Sequence, residues 1–136
     1  MKRLIYISTA IDSIQNSDID DIVATAERVN EMQSITGVLM FNGLNFLQLL
    51  EGPRSNVENI FNRILTDRRH VSVTTVLSEA AQMRIFPDWQ MAARRTPALD
   101  GDHEFKNLRV MTDVMERQMP NSVRKVLDNF TSLRGI

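Results

Sequence analysis

A carboxamide stands where the chain calls for an apolar side chain. Gln48 lies in the run Phe46-Leu47-Gln48-Leu49-Leu50-Glu51, with Phe46 and Leu50 on its own face if the run is extended. A buried amide left without a partner costs about 1–3 kcal/mol, so Gln48 must be hydrogen-bonded. Its amide carries both a donor and an acceptor and can therefore relay a proton. Tyr6, the only tyrosine, sits in Arg3-Leu4-Ile5-Tyr6-Ile7-Ser8, where a buried phenol also needs a partner. Asn30 continues the apolar stripe Val23, Ala26 and Val29; its amide matches a ring edge that carries N–H beside C=O. Asp67-Arg68-Arg69-His70 follows a second helical stretch, and Trp89 is the only tryptophan. Redox chemistry through an aromatic side chain falls mainly to Tyr6 or Trp89. Each feature has a plainer reading. Gln48 and Tyr6 can be core residues bonded to backbone, and Asn30 can be a tolerated helix end. The basic cluster can be a solvated helix end whose positive charges meet the negative end of the dipole.

Other chemistries fare worse. With no cysteine, disulfides, thiol catalysis and thiolate metal sites are excluded. His70 and His103, the two histidines, have no metal-ligand spacing. An acylphosphatase-like hydrolase using Arg and Asn would need a glycine-rich loop for phosphate, and the five glycines are scattered. No nicotinamide fingerprint or substrate-activating set supports a redox enzyme. A net charge of −1 gives no basic footprint for nucleic acid or a membrane surface. No apolar run reaches membrane-spanning length, and the opening MKRLIYIS reads as a strand rather than a signal peptide. A cytoplasmic protein is the expectation.

The elements that must position these residues follow from periodicity. A chain of 136 residues, 43% hydrophobic and 24% charged, suits one soluble domain with a short appendage. Residues 3–9 predict a strand, with Leu4, Tyr6 and Ser8 on one face and Ile5 and Ile7 on the other. Residues 17–32 predict a helix with Ser17 as N-cap, Asp20 three positions on, and an apolar stripe of Ile19, Ile22, Val23, Ala26 and Val29. Residues 35–51 predict a hairpin turning at Asn42-Gly43. Residues 55–66 predict a second helix opened by a Ser55–Glu58 capping box. Strands over 70–78 and 89–94 flank a connection containing Pro87-Asp88. The order β-α-β-β-α-β-β predicts an α+β, ferredoxin-like sheet with two helices on one face. Turn-rich residues 96–103 mark a boundary between a domain over 1–95 and an extension over 96–136, with helices at 104–118 and 121–133.

Taken together, RLIYIS, Asn30 with ITGVL, FLQLLEG, DRRH and FPDWQM resemble the BLUF family, blue-light sensors using flavin, over residues 2 to about 94. The resemblance implies non-covalent flavin, usually FAD with FMN possible, held between the two helices. It makes Tyr6 and Gln48 the photoactive pair and places Trp89 or Met91 beside Gln48 on the last strand. It assigns Asn30 to the N3–H and C4=O edge of the flavin, with Arg69 and His70 near C2=O and Asp67 supporting that end.

Excited flavin is a strong oxidant, and a phenol is readily oxidised. Its proton, held by a pKa of about 10, becomes acidic once the electron leaves. The family outcome is a rotated or tautomerised glutamine and a small red shift in flavin absorption. The family does not turn over substrate. The segment after residue 95 is expected to signal to an unknown downstream protein or through self-association, since it shows no catalytic constellation and is too short for a cyclase or phosphodiesterase. A flavin-free ferredoxin-like dimerisation module is the competing reading; it predicts a colourless protein, not a yellow one.

Overall fold

The computed structural model describes residues 1–96 and 109–133. In chain order these form β1 (Lys2–Ala10), α1 (Asn16–Met32), β2 (Thr36–Phe41), β3 (Asn45–Gly52), α2 (Arg54–Ile64), β4 (His70–Ala80), β5 (Ala92–Arg95), β6 (Arg109–Val110), α3 (Thr112–Met115) and α4 (Asn121–Ser132). One sheet runs β4-β1-β3-β2-β5-β6. Within it β1 is antiparallel to both β3 and β4, and β3 is antiparallel to β2. Two β-α-β units therefore interleave, which is the ferredoxin-like arrangement expected. β5 extends the sheet in parallel beside β2, and β6 beside β5.

Alternation along the central strands supplies two cores, because successive side chains leave opposite faces of a sheet. Leu4, Tyr6, Leu39, Phe46 and Leu50 face the helices and pack with Ile19, Val57 and Ile60. Ile5, Val38, Met40, Leu47 and Leu49 face the other way and pack with Met111, Val114, Val123, Leu127 and Phe130. The C-terminal segment thus covers the sheet face opposite α1 and α2.

Several local expectations need correction. α1 starts at Asn16, ahead of the expected Ser17 cap, and the carboxylate that closes its first turn is Asp18, which accepts the Gln15 N–H at 2.8 Å. α2 starts at Arg54 after Pro53 with no side-chain cap. Glu58 pairs instead with Lys2 at 3.3 Å and Arg54 at 3.1 Å. The hairpin turns where expected, but Asn42 opens the loop rather than standing at its centre: its Oδ1 accepts the N–H groups of Leu44 and Asn45, and Gly43 takes the positive φ of 97°. The last expected strand, 89–94, is displaced to Ala92–Arg95, so Trp89 and Met91 precede it. Of the helix expected over 104–118, the described residues 109–118 hold β6 and the four residues of α3. Residues 97–108, with His103 and most of the turn-rich stretch, lie outside the described residues.

Candidate functional site

A cavity of about 360 Å³ opens between α1 and α2 over the floor of the sheet. Ile22, Ala26 and Val29 of α1 and Ile60 and Ile64 of α2 form its walls, and Leu39 and Phe46 contribute to its floor. Tyr6, Asn30, Gln48, Asp67, Arg69 and His70 supply its polar lining. The apolar stripe of α1 is only partly covered because it faces this space rather than a filled core.

Sheet register creates the polar centre. Tyr6 and Gln48 are directly opposed on β1 and β3, on the helix-facing side. The Tyr6 hydroxyl donates to Gln48 Oε1 at 2.6 Å, and Gln48 Nε2 donates to Met91 Sδ at 3.4 Å. Both residues are nearly inaccessible, at 3% and 4% exposure. Burial, reinforced by the Asp67 carboxylate, pushes the phenol well above its ordinary pKa, so it holds its proton. The amide thus has a strong donor on its oxygen, while its N–H meets only a weak thioether acceptor.

Asn30 lies in the last turn of α1. Its Nδ2 donates to the carbonyl of Gln90 at 3.2 Å, and among the described residues nothing donates to its Oδ1. The DRRH end is a closed network. Arg69 is forked onto Asp67 and reaches Asp21 at 2.8 Å. The Arg69 hydrogen bonds hold Asp67 below the usual carboxylate range despite its partial burial. His70 bridges Ser8 Oγ and the Ile64 carbonyl, each at 2.8 Å, tying β4 to β1 and to the end of α2. Because a carbonyl only accepts, His70 Nε2 carries a proton.

Of the two candidates before the last strand, Met91 alone reaches the pair. Trp89 does not line the cavity. It belongs to the opposite core, stacked on Phe86 at 5.1 Å with the Arg94 and Arg117 guanidiniums over its ring. Of the two residues expected, one or the other, beside Gln48, it is Met91 that stands there, but just before β5 rather than on it.

Two features escaped the sequence reading. Arg63 lines the cavity from α2. Glu51, fully buried on the face opposite Gln48, accepts the backbone N–H groups of Ile85 and Phe86 and pairs with Arg3 at 3.1 Å. An ionisable residue in the buried alternation of β3 was a signal available for it.

The lining fits an isoalloxazine ring: apolar walls for its faces, and at one edge an Asn30 amide with an open acceptor. The volume falls within the roughly 300–1,000 Å³ usual for such sites. Among the described residues no cluster of metal-ligating side chains occurs.

Comparison with known proteins agrees. Residues 1–92 match the family model "BLUF: Sensors of blue-light using FAD". The chain is 45% identical over 95 residues to photoactivated adenylate cyclase subunit beta of Euglena gracilis, covering 68% of this chain and 11% of that protein. It is 40% identical over 86 residues to the blue light- and temperature-regulated antirepressor BluF of Escherichia coli K12, covering 63% of this chain and 21% of the other. The chain therefore spans only a small part of these curated relatives. The solved dark state of BlrB, a BLUF protein, superposes with a TM-score of 0.72 at 28% identity, covering 96% of this chain and 95% of that one. The photo-activated state of BlsA shares the fold with a TM-score of 0.72 at 21% identity, covering 99% and 97%. On the family match and the residues that line its cavity, the chain belongs to the BLUF family of blue-light sensors using flavin.

Proposed function

We propose that the chain holds one flavin non-covalently between α1 and α2 and reports blue light by rearranging the hydrogen bonds of Tyr6 and Gln48. The single observation that carries this reading is the buried chain of contacts from the Tyr6 hydroxyl to Gln48 and on to Met91 Sδ at the cavity floor. A bound flavin supplies a blue-absorbing oxidant. Tyr6 gives up an electron, and its proton moves along the 2.6 Å bond onto Gln48 Oε1. Gln48 then turns or changes tautomer, its N–H leaves the thioether, and the electron and a proton return to Tyr6, so that only the hydrogen bonds differ. Asn30 holds the ring edge with its open acceptor, while Asp67 and Arg69 close the far end and His70 braces the strands.

FAD is the expected flavin. FMN meets the same ring contacts, since the polar lining described here addresses the ring common to both. The chain acts as a sensor rather than an enzyme, and passes the change to a partner protein or to a second copy through residues 96–136. No helix among the described residues is long and apolar enough to cross a membrane, in keeping with a cytoplasmic sensor. The test is the visible spectrum of the purified protein in darkness and after blue light. A yellow protein with a reversible red shift supports the reading; a colourless protein opposes it.

A further inference from the structure

Residues 86–91 lie between the cavity and the C-terminal segment, and Arg117 makes several contacts with them. Arg117 follows α3. Its guanidinium lies 4.2 Å from the Trp89 ring centroid and 5.1 Å from that of Phe86. Both of its terminal nitrogens bond the Asp88 carboxylate, at 2.9 and 3.0 Å, and one also donates to the Ile85 carbonyl at 3.0 Å. Its own carbonyl accepts from Arg124 of α4 at 2.7 Å. On the other side Arg94, also over Trp89, is forked onto Asp113 of α3. The same short segment bonds β2 once and the cavity lining twice. The Trp89 carbonyl accepts from Gly37 N–H at 2.9 Å, the Gln90 carbonyl accepts from Asn30, and Met91 Sδ accepts from Gln48.

We propose that Arg117 is a positioning residue for the photoactive pair: by clasping Trp89 and Asp88 it sets where Met91 stands against Gln48, and so couples the C-terminal segment to the light reaction. This rests on the Tyr6–Gln48 reading above and adds to it a residue beyond the part that matches the family model. Coupling between two sites is reciprocal. If the grip of α3 and α4 on Trp89 fixes the surroundings of Gln48, then a turned Gln48 must loosen or tighten that grip. A guanidinium suits the role because its planar fork can bond a carboxylate while its face lies on an aromatic ring. Without the clasp the segment moves more freely, and the buried amide returns to its dark orientation over a lower barrier.

The full chain, loaded with FMN, tests this with Arg117→Gln and Arg117→Lys. For Arg117→Gln the expected result is retained flavin and red shift, with dark recovery accelerated roughly three- to tenfold. The unaltered chain is expected to show a light-induced change in amide hydrogen exchange over α4, and this change should disappear in Arg117→Gln. Arg117→Lys keeps a cation at the ring without the fork and should fall between the two. Asp88→Asn, which removes the ion pair while leaving the ring contact and the bond to the Ile85 carbonyl, should accelerate recovery to a lesser degree and decides the matter if Arg117→Gln does not fold. Recovery unchanged or slowed, or an α4 exchange response that survives in Arg117→Gln, would overturn the proposal while leaving the flavin reading intact. An unaltered chain with flavin but no red shift would overturn both.

Discussion

The Tyr6 hydroxyl and Gln48 Oε1 stand 2.6 Å apart because their residues are cross-strand partners in the β1–β3 register. A slip of one residue in that pairing would send one partner to the far face of the sheet, so the register is itself part of the site. Either partner can be removed without emptying the cavity. Tyr6→Phe should retain flavin and lose the light-induced red shift. Gln48→Leu should do the same. An unchanged photocycle in either variant, read by absorption after illumination, removes that residue from the mechanism.

Met91 offers Gln48 a weak acceptor, and its replacement separates sulfur from bulk. Met91→Leu conserves volume and should cost less than about 1.5 kcal/mol of stability. Flavin binding should persist, and dark recovery should be slower because the amide N–H has lost the partner it returns to. Equal recovery times in the two proteins would show that the thioether contact has no part in holding Gln48.

Glu51 offers a test of the scaffold. Its carboxylate is fully buried between Arg3 and the backbone of Ile85 and Phe86. Glu51→Ala leaves the Ile85 and Phe86 N–H groups without a partner and the nearly buried Arg3 with only Glu79 and the Met83 carbonyl, a loss of about 2–5 kcal/mol. Denaturant unfolding of flavin-loaded protein measures it. A loss under about 1 kcal/mol, the level of an exposed pair, would contradict this account.

Much of the site is legible in the sequence because polar residues interrupt apolar patterns in few ways. Gln48 and Tyr6 stood out by chemistry and parity together, and Asn30 by its place on the stripe of α1. Trp89 and Met91 show where parity fails. Two residues apart, they share a face only if the chain is extended through both; β5 begins at Ala92, and the segment before it bends, so they separate to opposite sides. The Ser17 and Ser55 caps failed for a related reason. Asp18 satisfies the start of α1 and Pro53 stands at that of α2, and pattern alone does not rank such neighbours. Glu51–Arg3 and Arg117–Trp89 join residues distant in sequence and needed the fold to be seen.

The phenol makes a prediction in pH. Burial first, then the Asp67 carboxylate, raises the Tyr6 pKa above the ordinary tyrosine value of about 10. The folded state therefore keeps the proton where the unfolded chain gives it up. The stability this contributes is complete below pH 10 and falls as pH rises beyond it. Unfolding free energy measured from pH 8 upward should decline beyond about 10, with a shallower decline in Tyr6→Phe. Parallel slopes for the two proteins would place the phenol in water.

The most direct measurement is the absorption spectrum of the purified chain in darkness, under blue light, and in darkness again. The account predicts flavin bands that shift to longer wavelength on illumination and return without added reagent. A protein without flavin, or one whose bands do not move, would contradict it.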